Sequence, residues 1–447
     1  MKLRGPFVAI IILVALTGFL YWSNHHKPGE DSTVKASPNS AQILSLKQGD
    51  VLEVTIESKD QGRVDLGKND SGAWRITEPS PLAADQEAFS TLLSTLTTLD
   101  SDRIVEEKTS DLAPYGLLSP ALAVDINLKD KKTEKLLIGD ETPAGNAFYA
   151  MRAGDPRLFT VRSYNKSNLD KGSNDLRDKR LFTEDFDKVS QIELDGFEPG
   201  KKHDITFARD KDAWQILKPK PYRTDSLPVD ELVRSLKEAK IDTSTGSDEK
   251  RDAAIFESAA RFANAKVTGA SGTQEVEVRK AKDDYYAKSS VLSGIYKIPS
   301  SVATGLAKPL DDFRNKKLFD FGYEDPDSIE FHDDGKSYFL TRSGSDWWGP
   351  DGKKLDNLSA SALLDKIRDL SASKFPESGF TTPTLRLTVV SKDKKHAETL
   401  LIAKSKQDYI AMRDGEPALY EIPSDSVAEL AKAASNLKSA PASNAKK

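Results

Sequence analysis

Histidines do most acid–base and metal chemistry near neutral pH. This chain has five, His25, His26, His203, His332 and His396. Only the first two are neighbours, and no H-E-x-x-H or comparable ligand spacing occurs. Cysteine is absent, which removes disulfides, thiolate metal sites, a thiol nucleophile and a lipid-bearing cysteine. Asp140 follows Gly139 and precedes Thr142-Pro143. No second acid stands in register with it, so these residues read as turn formers. Two basic clusters, Arg177–Arg180 and Arg314–Lys317, offer phosphate or acidic-partner chemistry. They alternate with Asp175, Asp178 and Asp312, which predicts a solvated, self-paired face. No P-loop, G-x-S-x-G or dinucleotide-binding glycine pattern is present. Catalytic, cofactor and metal residues are therefore expected to number none.

Aromatics are the remaining candidates. Trp74, Trp214 and Trp348 occupy corresponding places along the chain, which predicts core strand tryptophans packed on a helix. Trp347 and Trp348 are adjacent, so in a strand they point to opposite faces. One of them is expected outside, and the pair is the candidate contact surface.

The positioning elements are repeated. Asp175-Leu176-Arg177-Asp178-Lys179-Arg180-Leu181-Phe182 returns as Asp312-Phe313-Arg314-Asn315-Lys316-Lys317-Leu318-Phe319, an offset of 137 residues. Phe159-Thr160-Val161 pairs with Tyr296-Lys297-Ile298 and Tyr420-Glu421-Ile422. Tyr149-Ala150-Met151-Arg152 pairs with Tyr286-Ala287-Lys288 and with Tyr409 to Arg413. Alternation at Leu52, Val54, Ile56 and at Trp74, Ile76 predicts strands. Phe89, Leu92, Leu93, Leu96 and Leu99 predict a helix capped by Asp85. Leu232, Val233, Leu236 and Leu363, Leu364, Ile367, Leu370 mark its later copies. Strands at Leu122–Leu128, Leu136–Asp140 and the Tyr149 run follow. Pro299-Ser300 and Pro423-Ser424 open short terminal helices.

The expectation is an α+β protein of three tandem ββαβββα-like repeats with mainly antiparallel sheets. Its units are residues 46–183, 184–320 and 321–438, with a disordered tail over 439–447. Ahead of them, Phe7 to Trp22 is almost wholly apolar and follows Lys2 and Arg4. With its flanks it reaches about 20 residues, the length of a membrane-spanning helix. No small-x-small cleavage site follows Trp22. This predicts a transmembrane anchor over 1–24, an N-terminus in the cytoplasm, a linker over 25–45 and a bulk outside the bacterial inner membrane. The net charge is -5, from 65 basic and 70 acidic residues with no basic block, so no nucleic-acid partner is expected.

Several short runs together resemble the bacterial domain-of-unknown-function family 4340. They are Gly72-Ala73-Trp74-Arg75-Ile76-Thr77-Glu78-Pro79, Ala84-Asp85-Gln86, Tyr115-Gly116-Leu117 with Pro120, Leu137-Ile138-Gly139-Asp140-Glu141-Thr142-Pro143 and Leu176-Arg177-Asp178-Lys179-Arg180-Leu181. The second copy lacks a Leu-Ile-Gly-Asp run. The resemblance implies company with a gliding-motility-type ABC transporter, whose permease or auxiliary subunit would be the partner, and it supplies no active-site residues. The resulting expectation is a non-enzymatic, membrane-anchored periplasmic accessory or scaffold protein. A glycan- or peptidoglycan-binding module and a hydrolase with an unfamiliar site are the alternatives.

Overall fold

The computed structural model describes residues 41–197, 202–211, 213–244, 248–333 and 335–441. The chain forms two compact units, Met1–Lys179 and Arg180–Lys447.

The first unit carries a nine-stranded sheet. Its strands are β1 (Val51–Ser58), β2 (Gly62–Lys68), β3 (Trp74–Glu78), β4 (Leu82–Ala83), β5 (Arg103–Glu106), β6 (Leu122–Leu128), β7 (Thr133–Glu141), β8 (Ala147–Arg152) and β9 (Leu158–Arg162). The order is β4-β3-β2-β1-β6-β7-β8-β9-β5, antiparallel throughout. Alternation turns Val54 and Ile56 of β1 inward opposite Ile126 and Val124 of β6. Helix α1 (Gln86–Thr97) buries Phe89, Leu92, Leu93 and Leu96 on that face. The Asp85 carboxylate accepts the amides of Glu87 and Ala88 and so caps it. Short helices α2 (Ser163–Leu169) and α3 (Ser173–Leu176) follow β9.

The second unit holds two seven-stranded antiparallel sheets. One comprises β10 (Gln191–Gly196), β11 (His203–Asp210), β12 (Ala213–Lys218), β13 (Ala260–Gly269), β14 (Gly272–Ala281), β15 (Asp284–Ser289) and β16 (Ile295–Ile298), in the order β12-β11-β10-β13-β14-β15-β16. Its helices are α4 (Ser226–Glu238), α5 (Glu249–Ser258) and α6 (Ser300–Leu306). The other comprises β17 (Ser328–Asp333), β18 (Lys336–Ser343), β19 (Asp346–Trp348), β20 (Leu385–Val390), β21 (Ala397–Lys404), β22 (Tyr409–Arg413) and β23 (Leu419–Ile422). Its order, β19-β18-β17-β20-β21-β22-β23, is the same, with α7 (Asn357–Arg368) and α8 (Ser424–Ser435) beside it.

The α+β architecture with repeated antiparallel sheets agrees with the expectation, but each sheet holds more strands than the alternation pattern shows. β2 was missed because it turns only Val64 and Leu66 inward, between Gly62, Gly67 and charged residues. The recurring Leu-Phe pair also has a different place. Leu181-Phe182 and Leu318-Phe319, read as closing a unit, are buried in the core of the sheet that follows them. Ile43-Leu44 does the same for the first sheet. Each pair is pinned by its first amide: Ile43 N to Leu99 O at 3.0 Å, Leu181 N to Ala239 O at 2.8 Å and Leu318 N to Leu370 O at 3.0 Å.

The membrane expectation is corrected. Its anchor, residues 1–24, and most of its linker lie outside the described residues. Among the described residues no helix is long and apolar enough to cross a membrane; α4, the longest of them, has 13 residues, against the ~20 that a span requires. Among the described residues, the transmembrane fold element, the membrane as partner and the single-pass inner-membrane location have no helix to carry them. Of the tail, residues 442–447 lie outside the described residues. Before them, Ser439 bridges to Leu355, and the Ala440 amide donates to Lys354 O at 2.8 Å.

Candidate functional site

The structure separates the two candidate tryptophans. Trp347 is 3% exposed and belongs to the third core. Trp348 is half-buried, and its indole nitrogen has no hydrogen-bond partner among the described residues. Hairpin register makes Trp347 the counterpart of the other two. It faces Arg342 across its strand pair, as Trp74 faces Lys68 and Trp214 faces Arg209. A basic side chain lies over the ring in the first two cases, at 4.8 and 5.9 Å. Trp74 also packs on Phe89 of α1, with centroids 4.4 Å apart.

Asp140 lies at the exposed end of β7, where a bulge shifts the register between Ile138 and Glu141. The turn itself comes later, with Gly145 N donating to Thr142 O. The Tyr115-Gly116-Leu117 loop packs on this bulge. A Cβ on Gly139 would stand 2.1 Å from Tyr115 O. Two runs of residues distant in sequence are thus one contact, and both need glycine.

The basic clusters depart most from expectation. Arg177, Asp178 and Arg314 are 6%, 7% and 5% exposed, while Asp175, Arg180, Asp312, Lys316 and Lys317 are exposed, so only part of each cluster faces solvent. The Arg314 guanidinium lies between the rings of Tyr222, at 4.0 Å, and Phe375, at 3.7 Å. Tyr222 packs against both the second and the third core.

Beside this stack is a charged cluster that sequence reasoning missed. Arg223 pairs with Asp320 and donates to Lys317 O. Arg413 reaches Glu398 and Glu416, both at 3.0 Å, and Asp320 at 3.5 Å. The Tyr420 hydroxyl donates to Glu416 at 2.7 Å. A cleft of about 420 Å³ opens next to it, lined by Trp214, Tyr222, Arg223, Glu416 and Pro417 among others. One signal could have found part of this cluster: Arg152–Glu134 in the first sheet corresponds to Arg413–Glu398 in the third.

Residues 74–257 and 214–379 each match the domain of unknown function DUF4340, and together they cover more than half of the chain. The chain belongs to this family. No curated protein matches it. The two DUF4340 matches begin at Trp74 and Trp214, which hold equivalent places in their sheets. Gly116, Gly139 and Arg223 all fall inside the DUF4340 region.

Electrostatics distinguish Tyr420. Burial, then the Glu416 hydrogen bond, pushes its phenol from 10.0 up to about 12. Between those values the folded protein keeps a proton that the unfolded chain has lost. The stability this group supplies is fully present below pH 10 and is lost as pH rises towards about 12. Phe159 stands at the equivalent place in the first sheet, so Tyr420→Phe is expected to fold. An ultraviolet pH titration of the native variant is expected to lack one late-ionising tyrosine. An unchanged late phase would assign that phase to another residue. Among the described residues no group of His, Asp and Glu is arranged to hold a metal ion.

Proposed function

We propose that this chain is a non-enzymatic accessory or scaffold protein whose repeated sheets bind protein partners. One observation carries the reading. Glu416, which lines the cleft, and its neighbours Asp320 and Glu398 are all engaged by Arg223 and Arg413. General acid–base catalysis needs a group free to exchange a proton with substrate; these arginines hold the acids as ion pairs between two sheets. The aromatic faces of the cleft are engaged too, Tyr222 by Arg314 and Trp214 by Arg209. That leaves less support for a sugar-stacking reading.

The association with gliding-motility-type ABC transporters rests on the family resemblance, and it names the first partners to test. Tagged full-length chain is expected to retain the permease or the auxiliary subunit of such a transporter on mild extraction. Recovery of neither, together with a hydrolytic activity abolished by Glu416→Gln, would replace this reading with an enzymatic one. Retention on purified peptidoglycan would favour the glycan-binding alternative instead.

A further inference from the structure

We propose that the outer face of the third sheet is a docking seat for an amphipathic α-helix with an acidic flank, supplied by a protein partner. The inference rests on the partner-binding reading above and names the surface and the kind of partner.

The second sheet supplies the precedent. Its inner face packs against α4 and α6, while α5 lies on the opposite face of β14–β16. There Phe256, 2% exposed, packs with Tyr286 and Ile295. The Arg279 guanidinium stacks on the Phe256 ring at 4.5 Å and donates to Phe256 O at 3.0 Å. The fold thus already holds a helix on an outer face.

In the third sheet the corresponding stretch between helix and next strand, residues 376–384, contains no helix. That stretch still reaches the outer face of β22, where Gly379 stands close to Ile410, which is 4% exposed; beside it the composition changes. The second sheet's cross-strand row is Glu277–Lys288–Ile295. Its equivalent on β21–β22–β23 is Leu401–Met412–Leu419. All three are half-buried, and none belongs to the inner core. Three strands span about 10 Å and two helical turns about 11 Å, so anchors at i, i+4 and i+7 would match the row. At one end of it Arg386 faces Leu401 across the strand pair. Arg386 is exposed and has no ion-pair or hydrogen-bond partner among the described residues. A hollow of about 450 Å³ beside it is also lined by His332, Lys336 and a single acid, Asp333, against two permanent cations, Arg386 and Lys336. Basic groups at the rim and an apolar row at the centre suit a helix with acids along one edge.

The double variant L401E/M412K places the second sheet's own Glu–Lys pair on the third, so it should fold; circular dichroism and thermal unfolding check this. The probe is a helix-stapled, fluorescent peptide with leucine at i, i+4 and i+7 and glutamate along one edge. It is expected to bind the full chain and to bind L401E/M412K at least about tenfold more weakly, a difference of about 1.4 kcal/mol. Arg386→Glu should weaken it as well. Equal affinity for wild type and L401E/M412K, or no binding to wild type, overturns the seat. So does a homodimer that sedimentation detects in the wild type and not in L401E/M412K, because the occupant would then be a second copy. A transporter subunit retained equally by both proteins would overturn the seat and leave the partner-binding reading intact. Peptide binding without any retained subunit would do the reverse.

Discussion

Arg314→Ala is expected to destabilise the Arg180–Lys447 unit by about 3 kcal/mol and to separate its unfolding into two transitions. The guanidinium is 5% exposed and lies between Tyr222 and Phe375. Each desolvated cation–π contact contributes up to about 2 kcal/mol. Truncation also leaves a cavity between two rings, and buried large-to-small changes add a cost for such space. The Asp311 ion pair adds little, because its carboxylate is 57% exposed. The second effect follows from position. Tyr222 touches both cores, so losing the stack is expected to weaken the coupling between the two sheets. Arg314→Lys keeps the charge and loses the planar stack, and should fall between wild type and alanine. Urea denaturation followed by tryptophan fluorescence and by calorimetry measures both effects. A single transition within about 0.5 kcal/mol of wild type would reduce Arg314 to an ordinary surface cation.

The same residue shows what the sequence can convey. Trp74 with Ile76 and the α1 face were legible because strands and helices repeat with fixed periods, and one buried face imposes the pattern. Recurrence of Tyr149, Tyr286 and their neighbours made the repeats legible for the same reason. The Arg314 stack was not, since charge alternation around it resembles a solvated face and only the fold supplies Phe375. Arg223 and Asp320 lie 97 positions apart, and no local pattern links them. The choice of Trp348 as the third counterpart failed at register: two adjacent residues alternate faces, and only the short β18–β19 hairpin decides that Trp347 points inward. The apolar stretch from Phe7 to Trp22 carries a pattern that only a described helix could test, and it lies outside the described residues.

Gly139→Ala is expected to cost about 3 kcal/mol or more in the first unit, the larger part of it through backbone. The added Cβ would lie 2.1 Å from Tyr115 O and 3.1 Å from Gly116 C, and neither atom can rotate away. Gly116→Ala meets a softer obstacle. Its φ of +68° strains any side chain, but the nearest atoms, at 2.4 Å, belong to the Asp140 carboxylate, which can turn aside. Its cost should be about 1–2 kcal/mol. Asp140→Ala tests the chemical alternative at the same place. The carboxylate is exposed, so if it only borders the loop its removal should change stability by less than about 1 kcal/mol. The second sheet explains why this glycine pair is not universal. There α5 crosses the equivalent strands, and Phe256 rests on Tyr286 where Tyr115 rests on Tyr149, 4.8 Å away. A helix held by side chains needs no close approach of backbone to backbone, so the second copy could lose its Gly-Asp run. Urea midpoints of the three variants should therefore rank Gly139→Ala lowest and Asp140→Ala nearest wild type. If Gly139→Ala unfolds with the wild-type protein, the loop does not pack on the bulge.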